Sequence, residues 1–177
     1  MLPSRYFIDL TQPEIAAQFR KNPLVILPAG SVEQHGPHLP TGTDIYAANV
    51  IGHAVAERMD GLVLPGGPLG VTPMHMPFEG TITLTPETYQ RVVVESCEST
   101  AKHGAKRLLI LNWHEGNIPS LAIASEKLGF EAAGTRSAKA TVMQRSLESG
   151  KAGWALMWLL GIPLPVLLVV YLMSRAC

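Results

Sequence analysis

The chain has 177 residues, with 14 Lys+Arg against 14 Asp+Glu and so no formal net charge. That length fits one domain with room for an appendage, and the balanced charge, with no Lys/Arg cluster, excludes a nucleic-acid footprint. Cys97 and Cys177 lie far apart and give no disulfide framework, which points to a reduced compartment, and the first residues hold no apolar run of signal-peptide type.

Thr11-Gln-Pro-Glu14 reads as a capping box that opens a helix running to about Arg20. Asn22-Pro23 stops it, and the apolar run 24–28 is a buried strand. A Gly/Pro-rich loop then reaches Thr43 or Asp44, itself a suitable N-cap. Ile45, Ala48, Ile51, Val55 and Met59 recur at helical spacing and predict an amphipathic helix over 45–59, ended by Asp60-Gly61. Residues 62–64 form a second short strand, and 65–77 is a long Gly/Pro loop of the kind that often carries function. Residues 81–84 alternate as a strand does; Thr85-Pro86 opens a helix to about His103, with Gly104 as its C-cap. A third strand over 107–111 runs straight into Asn112-Trp-His-Glu-Gly-Asn117, and a last helix spans 119–128, closed by Gly129.

Strands alternating with helices predict an α/β fold with a mostly parallel sheet flanked by helices. The polar clusters after Leu27 and after Leu111 then share the carboxyl edge of that sheet, where open α/β folds bind ligands.

Past residue 129 the pattern stops, and 130–151 reads as a linker between the domain over 1–129 and an apolar segment over 152–173. That segment is long enough to cross a bilayer at about 20 residues, and Trp154, Trp158 and Tyr171 stand near its ends as interfacial aromatics do. Lys139, Arg145 and Lys151 precede it and Arg175 follows, which keeps the domain cytoplasmic. The expectation is a C-terminal membrane anchor; Pro163 and Pro165 count against a straight helix, although transmembrane helices tolerate proline better than soluble ones, and a buried core helix is the other reading.

The chemistry sits at the two strand ends. Glu33, His35, His38 and Asp44 follow the first strand, and His114 with Glu115 follows the third. Carboxylates with imidazoles are the donor set of a hydrolytic divalent metal site. Glu33, His35, Asp44 and His114 can hold one such ion, or two at about 4 Å, and activate water near neutral pH. Each residue alone has a plainer reading: a hydrogen-bonded loop histidine, or in Asp44 a helix cap.

Pro28-Ala-Gly-Ser-Val-Glu-Gln-His-Gly-Pro-His-Leu-Pro-Thr-Gly-Thr-Asp44 resembles the signature of the creatininase (creatinine amidohydrolase) family. Gly70-Val-Thr-Pro-Met-His75 with Phe78-Glu-Gly-Thr-Ile-Thr-Leu84, and then Asn112-Trp-His-Glu-Gly-Asn117, resemble its next two motifs in order, so the likeness covers about residues 5–128. The resemblance implies an α/β sandwich assembled as a homo-oligomer, with a two-metal site of zinc or manganese. It implies hydrolysis of a C–N bond in a small amide, whether cyclic, a formamide or in one branch a peptide, by metal-activated water. By position, Glu33, His35, Asp44 and His114 match metal ligands, with Asp44 as the bridge; His75 matches a position near substrate, and Glu115 is the adjacent acid. The creatinine-cleaving branch carries a Glu where this chain has Gly116. Beyond residue 128 the family's closing motif is not matched, which makes a truncated fold the expectation. A catalytically inactive member tethered to a membrane is the alternative.

Overall fold

A computed structural model describes residues 2–67 and 69–134. The expected membrane segment over 152–173, and the linker from 135 on, lie outside the described residues. Among the described residues no helix is long and apolar enough to cross a membrane.

The expected alternation is present. Helix α1 (Gln12–Lys21) leads to strand β1 (Leu24–Ala29), helix α2 (Thr43–Met59), strand β2 (Leu62–Val63), helix α3 (Pro86–Lys102), strand β3 (Arg107–Asn112) and helix α4 (Ile118–Gly134). The three strands form one sheet in the order β2-β1-β3, and both pairings are parallel. Strand β1 is buried along its whole length, as expected of a strand with helices on both faces.

Alternation along β1 decides which helix covers which face. Val25, Leu27 and Ala29 pack with Leu108 and Ile110 of β3 against Phe19 of α1, Tyr89, Val93 and Cys97 of α3, and Leu121, Ala124 and Leu128 of α4. Ile26 points the other way, into a smaller cluster with Val55 and Ala56 of α2 and Val63 of β2. Burial pushes the thiol of Cys97 up to about 12, with the nearby charge of Glu98 adding to the shift, so Cys97 behaves here as a core residue.

Caps and breakers act locally as read, with four corrections. The Glu14 carboxylate accepts from the Thr11 backbone N–H at 2.8 Å and from its hydroxyl at 2.7 Å, and Thr85 caps α3 by accepting from the Thr88 N–H. The N-cap of α2, however, is Gly42, not Thr43 or Asp44; the Asp44 carboxylate is engaged elsewhere, as described below. The C-cap of α3 is His103, and Gly104 follows it at φ 114°. Residues 81–84 form no strand, only single bridges from Ile82 to Val32 and from Thr83 to Gly70. Finally, α4 runs through Gly129 to Gly134, because a single helical glycine costs only about 1 kcal/mol and Glu131-Ala132-Ala133 are helix formers.

The shortness of β2 follows from Pro28. Within β1, Ile26 O accepts from Leu64 N on the β2 side, and Ala29 O accepts from Trp113 N on the β3 side. Pro28 therefore turns its missing N–H toward β2, and the ladder cannot continue there. At the opposite end of α2, Asp60 takes a left-handed conformation (φ 54°). Gln18 donates to its carbonyl at 2.7 Å, and Arg5 and Lys21 each reach its carboxylate at 2.8 Å.

Candidate metal centre

Each site residue is delivered by a strand end or a helix start. Beyond β1, Val32 bridges Ile82, and the Glu33 N–H donates to Thr41 O at 3.0 Å, which turns the Glu33 side chain inward. Asp44 lies in the first turn of α2, packed directly on the exit from β1. A Cβ on Gly30 would meet Asp44 C at 2.8 Å and Ile45 N at 2.9 Å, so only glycine admits this approach. His114 follows β3 immediately, where Trp113 N still bonds Ala29 O.

These three side chains converge. Ligand atoms of Glu33, Asp44 and His114, all buried, lie within 4.8 Å of one another. His114 Nδ1 is 3.3 Å from Glu33 Oε2 and 3.3 Å from Asp44 Oδ2. Its other nitrogen, Nε2, lies 3.1 Å from Val71 O. A ring nitrogen held by a backbone carbonyl carries the proton and leaves the opposite nitrogen as the ligand.

His35 repeats the arrangement with the nitrogens exchanged. Its Nδ1 is 3.1 Å from Glu33 O and its Nε2 is 3.1 Å from Asp44 Oδ1. The two oxygens of Asp44 thus face different histidines, and Ser31 donates to Oδ2 at 2.8 Å. His75 arrives on the short 3-10 turn Pro73–His75 and places Nδ1 2.8 Å from Glu33 Oε2, while the Thr72 hydroxyl donates to the same oxygen at 2.5 Å.

Electrostatics follow from this crowding. Burial pushes the Glu33 carboxyl up, but hydrogen bonds from His114, Thr72 and His75 and the His114 charge outweigh it and bring it down to about 2. Burial likewise disfavours the His114 imidazolium, yet Asp44 and Glu33 pull it up to about 9. Two carboxylates that converge on one nitrogen in a buried pocket favour any cation there. A donor set of two carboxylate oxygens and one imidazole fits a divalent ion of zinc or manganese type.

Glu33, His35, Asp44, His75 and His114 are therefore brought together. Glu115 is not: it is exposed at the start of a 3-10 turn, and among the described residues its side chain makes no hydrogen bond or ion pair with the cluster. His38 is exposed as well. Ser31, Thr72, Asn112 and Asn117 belong to the site without a titratable group to mark them; the only signal was their place inside the three motifs.

The creatininase family model, described as creatinine amidohydrolase, matches residues 8–159. The chain belongs to the creatininase family. The match extends past residue 128, where the sequence motifs give out. Among creatininase relatives, a mycofactocin precursor peptide peptidase of Mycobacterium ulcerans (strain Agy99) is 38% identical over 118 residues, covering 62% of this chain and 47% of the relative. Creatinine amidohydrolase of Pseudomonas putida is 32% identical over 123 residues, covering 66% and 47%. A crystal structure of creatinine amidohydrolase (creatininase) superposes with a TM-score of 0.71 at 29% identity, covering 81% of this chain and 58% of that one. Similar creatininase structures are titled as a Zn–Zn type and as an Mn form. The chain spans about half the length of the curated relatives it matches.

Proposed function

We propose that this creatininase-family chain hydrolyses the C–N bond of an amide, with a divalent cation held by Glu33, Asp44 and His114. The observation that carries the reading is the convergence of Glu33, Asp44 and His114 ligand atoms within 4.8 Å in a buried pocket at the sheet's carboxyl edge. When bound, such an ion supplies Lewis-acid polarisation of a carbonyl and makes water acidic enough to lose a proton near neutral pH.

The chain's own residues do the rest. Glu33 stays ionised throughout the neutral range because three side chains donate to it. Asp44 faces His35 through Oδ1 and His114 through Oδ2, which supports its reading as a carboxylate shared between two ions, the second held with His35. Zinc or manganese is the ion we expect, in keeping with the forms of the neighbouring creatininases. His75, held through Nδ1 by Glu33 and Thr72 and about a quarter exposed (24%), keeps Nε2 for handing a proton to the leaving nitrogen. We assign that proton to His75 rather than Glu115, which is exposed and, among the described residues, makes no hydrogen bond or ion pair with the cluster.

The substrate is a small amide or a short peptide, the classes named by the creatinine amidohydrolase and the mycofactocin precursor peptide peptidase. Self-association, and tethering through 152–173, remain part of this proposal; light scattering of the full chain in detergent-free buffer checks both.

The test is a zinc and manganese titration beside hydrolysis of creatinine, formamide and short peptides. Asp44→Ala is expected to weaken ion binding and turnover by roughly a hundredfold or more. An Asp44→Ala protein that binds and turns over like its parent sinks the proposal. Tight ion binding with no hydrolysis of any of the three would leave a metal-binding module.

A further inference from the structure

Asn117 is fully buried (0% exposed) and carries no titratable group; its backbone N–H donates to His114 O at 3.2 Å, while its side chain bonds none of the three candidate ligand residues. Its amide nevertheless joins all three motif segments. Oδ1 accepts from Val71 N at 2.9 Å, in the long loop. Nδ2 donates to Gly30 O at 2.9 Å, at the exit of β1, and reaches Asn112 Oδ1 at 3.2 Å, at the end of β3.

Two of the three residues it holds, Val71 and Asn112, act on His114. Val71 O is the carbonyl that His114 Nε2 faces at 3.1 Å. Asn112 clasps the His114 backbone, with Nδ2 donating to His114 O at 2.6 Å and Oδ1 accepting from His114 N at 3.2 Å. The contact between ring and carbonyl also needs residue 116, just before Asn117, to be glycine. A Cβ on Gly116 would stand 2.2 Å from Val71 O and 2.6 Å from His114 Nε2, closer than real Cβ contacts allow.

We infer that Asn117 is a positioning residue for the metal centre, and that it fixes which nitrogen of His114 faces the ion. By holding Val71 against Nε2 and Asn112 against the His114 backbone, Asn117 keeps the Nε2 proton in place and turns Nδ1 to Glu33 and Asp44. Gly116 leaves the space in which this happens. Outer partners of ligating histidines are worth about 10–100-fold in metal affinity, and a fully buried amide with its donors and acceptor paired is a rigid way to supply one. The inference rests on the proposed metal centre.

The probe is zinc alone, added to the full chain. In the wild type, long-range 1H–15N correlation spectra of zinc-loaded protein, with His114 assigned by its loss in His114→Gln, should show zinc on Nδ1 and a proton on Nε2. Asn117→Ala and Gly116→Ala should each weaken zinc by about 10–100-fold, by chelator competition, in protein whose circular dichroism matches the parent. A purely architectural Asn117 would lower the unfolding midpoint and leave zinc affinity and the Nε2 proton signal unmoved, which overturns the inference while the proposed function stands. A wild type that binds no zinc refutes the proposed function instead. If neither variant folds, the wild-type spectrum decides, since zinc on His114 Nε2 contradicts the inference and zinc on Nδ1 upholds it.

Discussion

Glu33 and His114 shift each other's protonation, and the consequence is a bounded pH window for the metal-free protein. The Glu33 carboxyl is pushed from 4.5 down to about 2. Its contribution to stability is thus present above pH 4.5 and lost as pH falls toward 2. The imidazole of His114 is pushed from 6.5 up to about 9, so its contribution is full below pH 6.5 and lost as pH rises toward 9. Urea midpoints should therefore plateau between pH 4.5 and 6.5 and fall on both sides, with an alkaline loss on the order of 3 kcal/mol. An alkaline limb unchanged in His114→Gln would show that this histidine is not its source. Zinc competes with the same proton, so its affinity should climb over the range in which stability without metal declines. At this scale the convergence of Glu33, His35, Asp44 and His114 was legible in sequence from residue type and place at the strand ends, whereas His75 was marked only by its motif and Glu115 and His38 share the type without the place. Ser31, Thr72 and Asn117 were not legible, since a hydroxyl or amide is common in any loop and acquires a role only through what the fold brings beside it.

The helices and strands were legible where periodicity and caps agreed. Alternation along β1 carries the architecture: Ile26, fully buried between β1 and α2, should cost about 2–5 kcal/mol on truncation to alanine, measured as a lowered urea midpoint with unchanged slope. A cost under 1 kcal/mol would mean that α2 is not seated on this face as described. Sequence misjudged elements where a single residue has two uses. Asp44 is a good helix cap by type, but its carboxylate goes to Ser31, His35 and His114, and Gly42 takes the N-cap position instead. Gly129 is a good helix stop by type, yet α4 passes through it. Residues 81–84 alternate like a strand but find only single-residue partners in Val32 and Gly70, so alternation alone did not make one.

At the scale of the molecule, the parallel order β2-β1-β3 is what turns three distant motifs into one pocket; the sheet topology made the meeting of the first and third legible before any coordinate, and left the middle one unplaced. What no pattern reveals is the depth of their interlocking. The Asn117 amide closes one loop of 46 residues to Val71 and another of 87 to Gly30. Closing such loops is an entropic step that long-range contacts repay only once they exist. The pocket proposed to bind the ion is therefore among the last things the folding chain completes, after β3 has docked on β1. Zinc should then act on the finished protein and not on its making: refolding traces with zinc or with chelator should superpose, while unfolding slows in zinc. Faster refolding in zinc would place the pocket in the transition state and reverse that order.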